Sequence, residues 1–287
     1  MTLFLSDLDG TLLDDNSSLS PATRKMLNKA IEEGALFSIA TARTPSTVSK
    51  IFEGVDVSIP FIVMTGAALW DPISGNFFNC KTISPEESAK ILSILQDLQL
   101  PSFVYTFREN KIHIFHTGQM SPLEEQFVKE RCNSKYKSFH IPPSGTTPNL
   151  ESQLENVALY YVMQPIARVQ EAYEMIRKHC HCYAVFYHDI FGEEIGLMEI
   201  FAHDVSKASA MKQLKHLVHA DKVVAFGDNI NDVPMLHEAD VAVAVENARP
   251  ELKAIADIVI GPNTSDSVAR YILSQVSEHK PASNPTC

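Results

Sequence analysis

The sequence has few cysteines, no long apolar run and no excess of basic residues, and each lack excludes a class of protein. Its five cysteines are an odd number without regular spacing in a chain of 287 residues, so we expect reduced thiols and no disulfide framework. No apolar run approaches the ~20 residues that a membrane helix needs. With 24 basic and 35 acidic residues the net charge is −11, which argues against nucleic acid or an anionic membrane as a partner.

The amino-terminal residues and the length indicate the location of the protein and its number of domains. The first residues carry no basic segment before their apolar stretch and reach Asp7 almost at once, so we expect no secretory signal and a cytoplasmic location. A hydrophobic content of 45% supports a substantial core, and the length favours one large or two modest domains. No feature of the sequence indicates an oligomeric state.

The strongest chemical signal is the stretch LFLSDLDGTLLDD at residues 3–15. Its apolar start predicts a strand buried on both faces, which would bring Asp7 and Asp9 to the carboxyl end, where open α/β sheets bind ligands. Gly10 then allows a sharp turn. Of two such carboxylates, one can attack phosphorus or bind a cation while the other transfers protons, and hard oxygen ligands suit Mg²⁺. A short Asp-x-Asp-Gly can also simply cap a turn.

Further polar residues follow two other predicted strands. Residues 35–40 predict a buried strand that delivers Thr41, Ala42 and Arg43 to the same edge as Asp7 if the crossover is right-handed. The Thr41 hydroxyl can bind a phosphate oxygen or cap the helix that starts at Pro45. Lys207 opens a predicted helix, and the stretch GDNIND at 227–232 follows a strong strand. Taken alone, these last two features also fit a solvated lysine and a strand-to-helix turn.

Together these motifs resemble the four motifs of the haloacid dehalogenase superfamily of phosphatases. Residues 7–13, DLDGTLL, are similar to its first motif, and Thr41, Lys207 and residues 227–232 stand where the second, third and fourth are expected. Three positions depart from the usual pattern, because Ala42 and Ala208 replace glycine and Thr65 replaces the asparagine of an Asn-Gly-Ala turn. The order of motifs and a large insertion resemble the Cof-like branch, which has a type IIB cap.

The resemblance implies a role for each motif residue. Asp7 would be the nucleophile that forms an aspartyl-phosphate, and Asp9 the acid and base. Mg²⁺ would be bound by the Asp7 carboxylate, the Asp9 main-chain carbonyl and Asp228. Asp232 would order these ligands without binding the metal itself. Arg43 would face the cap and the leaving group. The implied substrate-binding residues are Thr41, Ala42, Arg43, Lys207 and Asn231.

The predicted fold class is α/β, with a doubly wound, mostly parallel sheet in a Rossmann-like core and an inserted α+β cap. We expect the core to comprise residues 1–81 and 190–276 and the cap residues 82–189. Residues 277–287, with two prolines and little apolar content, are expected to be a disordered tail. Residues 196–201 are predicted to be a core strand, residues 137–155 a loop, and the cap sheet antiparallel.

The predicted function is a Mg²⁺-dependent phosphatase whose partner is a small phosphorylated metabolite. Sugar phosphates, or cofactor phosphates such as flavin mononucleotide and pyridoxal phosphate, are the expected substrates by resemblance. Two alternatives stay open, namely a mutase or phosphotransferase acting on hexose phosphates and a non-catalytic sensor of a phosphorylated metabolite. Intact Asp7, Asp9, Lys207 and Asp228 count against the sensor, because binding alone needs no nucleophile.

Overall fold

The computed structural model describes residues 1–131, 134–141, 155–188 and 194–278. Its strands are β1 (Thr2–Ser6), β2 (Leu36–Ile39), β3 (Phe61–Val63), β4 (Ala68–Trp70), β5 (Phe77–Phe78), β6 (Phe103–Arg108), β7 (Lys111–His116), β8 (Lys137–His140), β9 (Val157–Pro165), β10 (Cys182–Tyr187), β11 (Ile195–Ala202), β12 (Lys222–Gly227), β13 (Val241–Val245) and β14 (Ile258–Ile260). Its helices are α1 (Pro21–Glu32), α2 (Pro45–Ile51), α3 (Pro85–Asp97), α4 (Pro122–Arg131), α5 (Ile166–His179), α6 (Lys207–Leu217), α7 (Val233–Glu238), α8 (Pro250–Lys253) and α9 (Ser267–Glu278).

The first compact unit, residues 1–78 and 206–278, is built on a five-stranded sheet. The strand order is β14-β13-β12-β1-β2, and all neighbours are parallel. Because β1 lies inside the sheet, Leu3, Phe4 and Leu5 are all buried, which is why this strand reads as a continuous apolar run. The predicted α/β core is confirmed.

The carboxyl ends of three strands meet at one edge of this sheet. Ser6 at the end of β1 lies opposite both Phe226 of β12 and Ile39 of β2. The pairing continues one residue further, since the Asp7 N–H donates to the Phe226 carbonyl (3.0 Å) and the Ala40 N–H to the Ser6 carbonyl (2.9 Å). The residues that follow β1, β2 and β12 therefore come together, as the parallel arrangement predicts.

A small antiparallel sheet of β3, β4 and β5 completes the first unit. Strands β4 and β5 form a hairpin around residues 71–76. Trp70 is buried and its ring centroid lies 6.2 Å from that of Phe61, so this tryptophan packs in the core.

The second unit, residues 79–205, carries a six-stranded sheet in the order β10-β11-β9-β6-β7-β8. Helices α3 and α5 cover the same face of it. The Tyr160 hydroxyl on β9 lies 2.6 Å from the Ser88 hydroxyl on α3, and a Cβ at Gly196 on β11 would be 3.1 Å from Val169 on α5. Neighbouring strands are antiparallel except β7 and β8, which run parallel.

The structure corrects two predictions for this region. Strand β11 was expected in the core, but it pairs with β9 and β10, so the second boundary lies after residue 205 and not at 189–190. The apolar residues of β11 would fit either sheet. Its position between β9 and β10 buries Met198 and Ile200. Residues 137–140, expected in a loop, form β8 beside β7. The rest of that predicted loop, at 142–154, and the tail from 279 lie outside the described residues.

The first boundary also differs slightly from its prediction. The first unit ends at residue 78, three residues before the predicted position. Among the described residues, Cys80, Cys180 and Cys182 are free thiols. No helix in the described part of the chain is both long and apolar enough to cross a bilayer.

Candidate active site

The loop after β1 brings Asp7 against the loop after β12. Asp7 is buried, and the chain turns at Gly10, whose φ is 75°. A Cβ at this position would lie 2.5 Å from Asp228 Oδ2, so glycine is needed both for the backbone conformation and for the close approach. Gly10 thereby allows the carboxylates of two distant motifs to share one site.

Lys207 joins the third motif to the first and fourth. Its Nζ donates to Asp7 Oδ1 at 2.5 Å and to Asp232 Oδ1 at 2.7 Å. All three side chains are buried, with Lys207 only 2% exposed. The lysine is the first residue of α6, which Ser206 caps by accepting a hydrogen bond from the Ser209 N–H. The start of this helix therefore delivers a single positive charge to two buried carboxylates.

Three carboxylates converge closely enough to bind one cation. Asp7, Asp228 and Asp232 each place a carboxylate oxygen within 4.8 Å of the others, and no second group of this kind is found in the described residues. Three negative charges beside one ammonium leave the cluster short of positive charge. The donors are all hard oxygens, so the residues present fit Mg²⁺.

Burial affects the pKa values of Asp7, Asp228 and Lys207. It raises the pKa of Asp7 to about 7, against the lowering effect of the Lys207 charge. Burial raises the pKa of Asp228 as well, with Asp232 adding to the shift. For Lys207, burial disfavours the charged form, but Asp7 and Asp232 outweigh it and raise the pKa. A cation at the cluster would favour ionised Asp7, the form that can attack phosphorus.

Asp9 is held apart from this cluster by Arg43. The Arg43 Nε donates to Asp9 Oδ2 at 2.8 Å and Nη2 donates to Oδ1 at 2.5 Å. The Asp9 side chain is 52% exposed, whereas Asp7 is buried. Two aspartates two residues apart therefore have different surroundings, which suits the division between nucleophile and proton carrier. Arg43 thus contacts Asp9 in this structure, and its predicted contact with a leaving group stays a prediction.

The remaining predicted substrate residues lie around the same sheet edge. Thr41 is buried, and its Oγ1 accepts a hydrogen bond from the Arg43 N–H at 3.1 Å, so it stabilises the turn before α2, whose N-cap is Thr44. Ala42 is exposed beside it. Asn231 is also exposed, within the short helical turn Ile230–Asp232 after β12. Asp232 accepts from the Asp228 and Asn229 N–H groups through Oδ2, both at 3.2 Å, which fits an ordering role.

Sequence reasoning missed two residues that contact this site. The Thr11 hydroxyl donates to Asp228 Oδ1 at 3.1 Å and lies 3.4 Å from Asp7 Oδ2. It stands inside the DLDGTLL motif, so its position in that motif could have indicated it. Asn247 Nδ2 donates to the Gly10 carbonyl at 2.7 Å and so holds the catalytic turn. Its position after β13 carries no pattern that marks it.

Comparison with known proteins extends over nearly the whole chain. The family model for the haloacid dehalogenase-like hydrolases matches residues 4–272, a range that includes every site residue described above. The chain belongs to this family. The family and fold expected from the four motifs are thus confirmed.

Three named phosphatases are similar to this hydrolase over nearly their full length. The pyridoxal phosphate phosphatase YbhA of Escherichia coli K12 is 28% identical, with 94% of this chain and 97% of that protein covered. The 5-amino-6-(5-phospho-D-ribitylamino)uracil phosphatase YcsE of Bacillus subtilis is 24% identical, with 94% of both covered. The structure of the subclass IIB sugar phosphatase BT4131 superposes with a TM-score of 0.71 at 18% identity, covering 96% of this chain and 99% of that one. The last likeness shows a shared fold.

Proposed function

We propose that this hydrolase is a Mg²⁺-dependent phosphatase that cleaves small phosphomonoesters through an aspartyl-phosphate. The observation that carries the proposal is the buried Asp7 carboxylate, which lies 2.5 Å from Lys207 Nζ beside the carboxylates of Asp228 and Asp232. A buried carboxylate with a fixed ammonium beside it, at the carboxyl edge of a parallel sheet, is suited to attack phosphorus. The lysine offsets negative charge that the attack brings together.

The reaction divides into two displacements at phosphorus. An Asp7 oxygen attacks, the bond from phosphorus to the leaving oxygen breaks, and Asp9 gives its proton to that oxygen. Asp9 then takes a proton from water, whose oxygen attacks the same phosphorus. The bond to Asp7 breaks, and inorganic phosphate leaves. The exposure of Asp9 supports this role, because a proton carrier has to reach both the leaving group and water.

Mg²⁺, when bound, would neutralise the phosphoryl oxygens during transfer. The Asp7 and Asp228 carboxylates would hold it, together with the Asp9 main-chain carbonyl predicted from the motif. Asp232 would order these ligands through its hydrogen bonds to the loop N–H groups and to Lys207. Thr41, Lys207 and Asn231 would contact the phosphoryl oxygens.

The substrate class rests on the relatives. One of them is named for pyridoxal phosphate, one for a ribitylaminouracil phosphate and one for a sugar phosphate. All three compounds are small phosphomonoesters. We therefore propose a sugar phosphate or a cofactor phosphate as the substrate.

Free phosphate released from a substrate panel tests this function. The panel comprises glucose 6-phosphate, fructose 6-phosphate, glycerol phosphate, pyridoxal phosphate and flavin mononucleotide, each with Mg²⁺ and with a chelator. We expect release that requires the metal, and the rank order of kcat/KM identifies the class of leaving group. Phosphate that moves between two positions of a hexose would indicate a mutase. Binding of a panel compound without turnover would indicate a sensor.

Replacing Thr11 tests the proposed metal site, because this residue contacts a proposed metal ligand. Thr11→Val keeps the shape of the side chain but removes the hydroxyl that donates to Asp228. We expect the Mg²⁺ concentration for half-maximal activity to rise about tenfold, as for other groups that support a metal ligand. Thr11→Ser is the matched control, because it keeps the hydroxyl and should stay close to wild type. An unchanged Mg²⁺ requirement in Thr11→Val would contradict the placement of the cation at Asp228.

A further inference from the structure

The contact between Arg43 and Asp9 has the geometry of a specific two-point pairing. Two different guanidinium nitrogens, Nε and Nη2, donate to the two oxygens of one carboxylate, at 2.8 and 2.5 Å. Such a pairing fixes the plane of the carboxylate as well as its position, which a lysine ammonium does not do. Both side chains are partly exposed, so the pairing contributes little to stability and its geometry is the more informative property.

The backbone of Arg43 is itself held in place. Its N–H donates to Thr41 Oγ1 at 3.1 Å, and its carbonyl accepts from the Met64 N–H at 3.1 Å. The adjacent Thr65 N–H donates to the Thr41 carbonyl at 2.9 Å. The turn after β2 is therefore fixed by two successive N–H groups from the segment after β3.

That supporting segment has an unfavourable backbone conformation. Met64 and Thr65 have φ values of 52° and 60°, in the left-handed region, which is especially unusual for a β-branched residue such as Thr65. Gly66 follows with a φ of 100°, and a Cβ there would clash with the Ser206 carbonyl oxygen. Strain of this kind persists where the surrounding structure imposes it, and it is concentrated at functional sites. Here the strained segment supports the Arg43 turn on one side and contacts the start of the Lys207 helix on the other.

We infer that Arg43 is a positioning residue that acts through Asp9, by orienting its carboxyl group so that the proton taken from water in the preceding turnover passes to the leaving oxygen, and that it does not act by binding the phosphoryl group. The inference rests on the proposed function, because it requires Asp9 to be the proton carrier. It differs from the role that the sequence predicted for Arg43, a contact with substrate. A residue that acts through Asp9 matters only when Asp9 is present and only when the leaving group needs a proton.

Two substrates, each tested with enzymes that keep or lack Asp9, distinguish positioning of Asp9 from binding of the phosphoryl group. Values of kcat/KM are measured for the alkyl phosphate that is turned over fastest in the panel and for p-nitrophenyl phosphate, whose leaving group needs little protonation. The enzymes are wild type, Arg43→Met, Asp9→Asn and the double variant. The ratio kcat/KM reports the steps up to release of the leaving group, so it excludes the later hydrolysis of the aspartyl-phosphate.

We expect Arg43→Met to lower kcat/KM for the alkyl phosphate about 10²-fold and for p-nitrophenyl phosphate less than about threefold. In the Asp9→Asn background the same change should cost less than about threefold with the alkyl phosphate, because there is no proton carrier left to orient. Arg43→Lys keeps the charge without the two-point pairing and should give an intermediate loss. Arg24→Met, which removes an arginine that contacts the Glu53 carbonyl, is the matched control and should match wild type.

Other outcomes overturn the inference in distinguishable ways. If Arg43→Met lowers kcat/KM equally for both substrates, or if its effect multiplies with that of Asp9→Asn, Arg43 binds the phosphoryl group directly and only the inference fails. If Asp9→Asn itself leaves turnover of the alkyl phosphate intact, the proton-carrier role of Asp9 fails and the inference fails with it, while the phosphatase activity stands; if wild type turns over no compound of the panel, the proposed function fails. Thermal unfolding of each variant distinguishes a loss of activity from a loss of fold. If Arg43→Met does not fold, Arg43→Lys provides the same comparison.

Discussion

We expect Asp7→Asn to abolish phosphate release, with kcat falling about 10⁴-fold or more, the size of loss that removal of a catalytic nucleophile gives. Asparagine has nearly the shape of aspartate, but its amide does not attack phosphorus. Continuous assay of phosphate with the best substrate of the panel checks the result. A variant that keeps about a tenth of wild-type activity would remove the nucleophile assignment.

The pH dependence of stability provides the control that this variant is folded. The folded pKa of Asp7, about 7, lies above its ordinary value of 3.8, so its stabilising contribution is present below the ordinary value and is lost as the pH rises through the folded one. Metal-free wild type should therefore lose stability relative to Asp7→Asn between about pH 5 and about pH 8. Urea unfolding at both pH values measures the difference. A constant difference would mean that Asp7 ionises in the folded protein as it does in the unfolded chain.

The core sheet could be predicted closely because its signals are local. Strands β1, β12 and β13 are buried on both faces and read as apolar runs, and Gly34 and Pro45 mark where neighbouring elements end or begin. The parallel order then places their carboxyl ends together. The prediction for β11 failed because an apolar strand does not specify which sheet it joins, and its partners β9 and β10 are specified by non-local pairing.

The candidate site was predicted in its residues but not in its contacts. The motifs gave Asp7, Lys207 and Asp228, and the structure brings all three together. They did not indicate that Arg43 would contact Asp9, because a turn residue can direct a long side chain toward several partners. The left-handed backbone at Thr65 was not predicted either, since it belongs to a turn in which the next residue, Gly66, packs against Ser206 from a distant part of the chain. Local patterns identify which groups are needed, and tertiary packing decides which group orients which.

The second large effect is expected for Lys207→Met. Methionine keeps an unbranched apolar stem of similar length but leaves the buried Asp7 and Asp232 carboxylates without their shared ammonium. Removing one partner of a buried ion pair costs about 3–5 kcal/mol, so the free energy of unfolding should fall by that order in metal-free protein. Phosphate release should fall about 10³-fold, because a fixed charge near the phosphoryl group is lost.

Lys212→Met is the matched control for this variant. Lys212 lies on the same helix and pairs with Glu238 at 2.8 Å, but both side chains are exposed, so its loss should cost less than about 1 kcal/mol and leave activity unchanged. Denaturant unfolding with and without Mg²⁺ separates the contribution of Lys207 to stability from its contribution to turnover. If the carboxylates bind the cation, Mg²⁺ should restore part of the stability of Lys207→Met, because it supplies positive charge to the same cluster. Turnover should stay low. Loss of stability without any response to Mg²⁺ would show that the cluster does not bind the metal. Equal losses of stability in both lysine variants would show that the burial of Lys207 does not increase its contribution to stability.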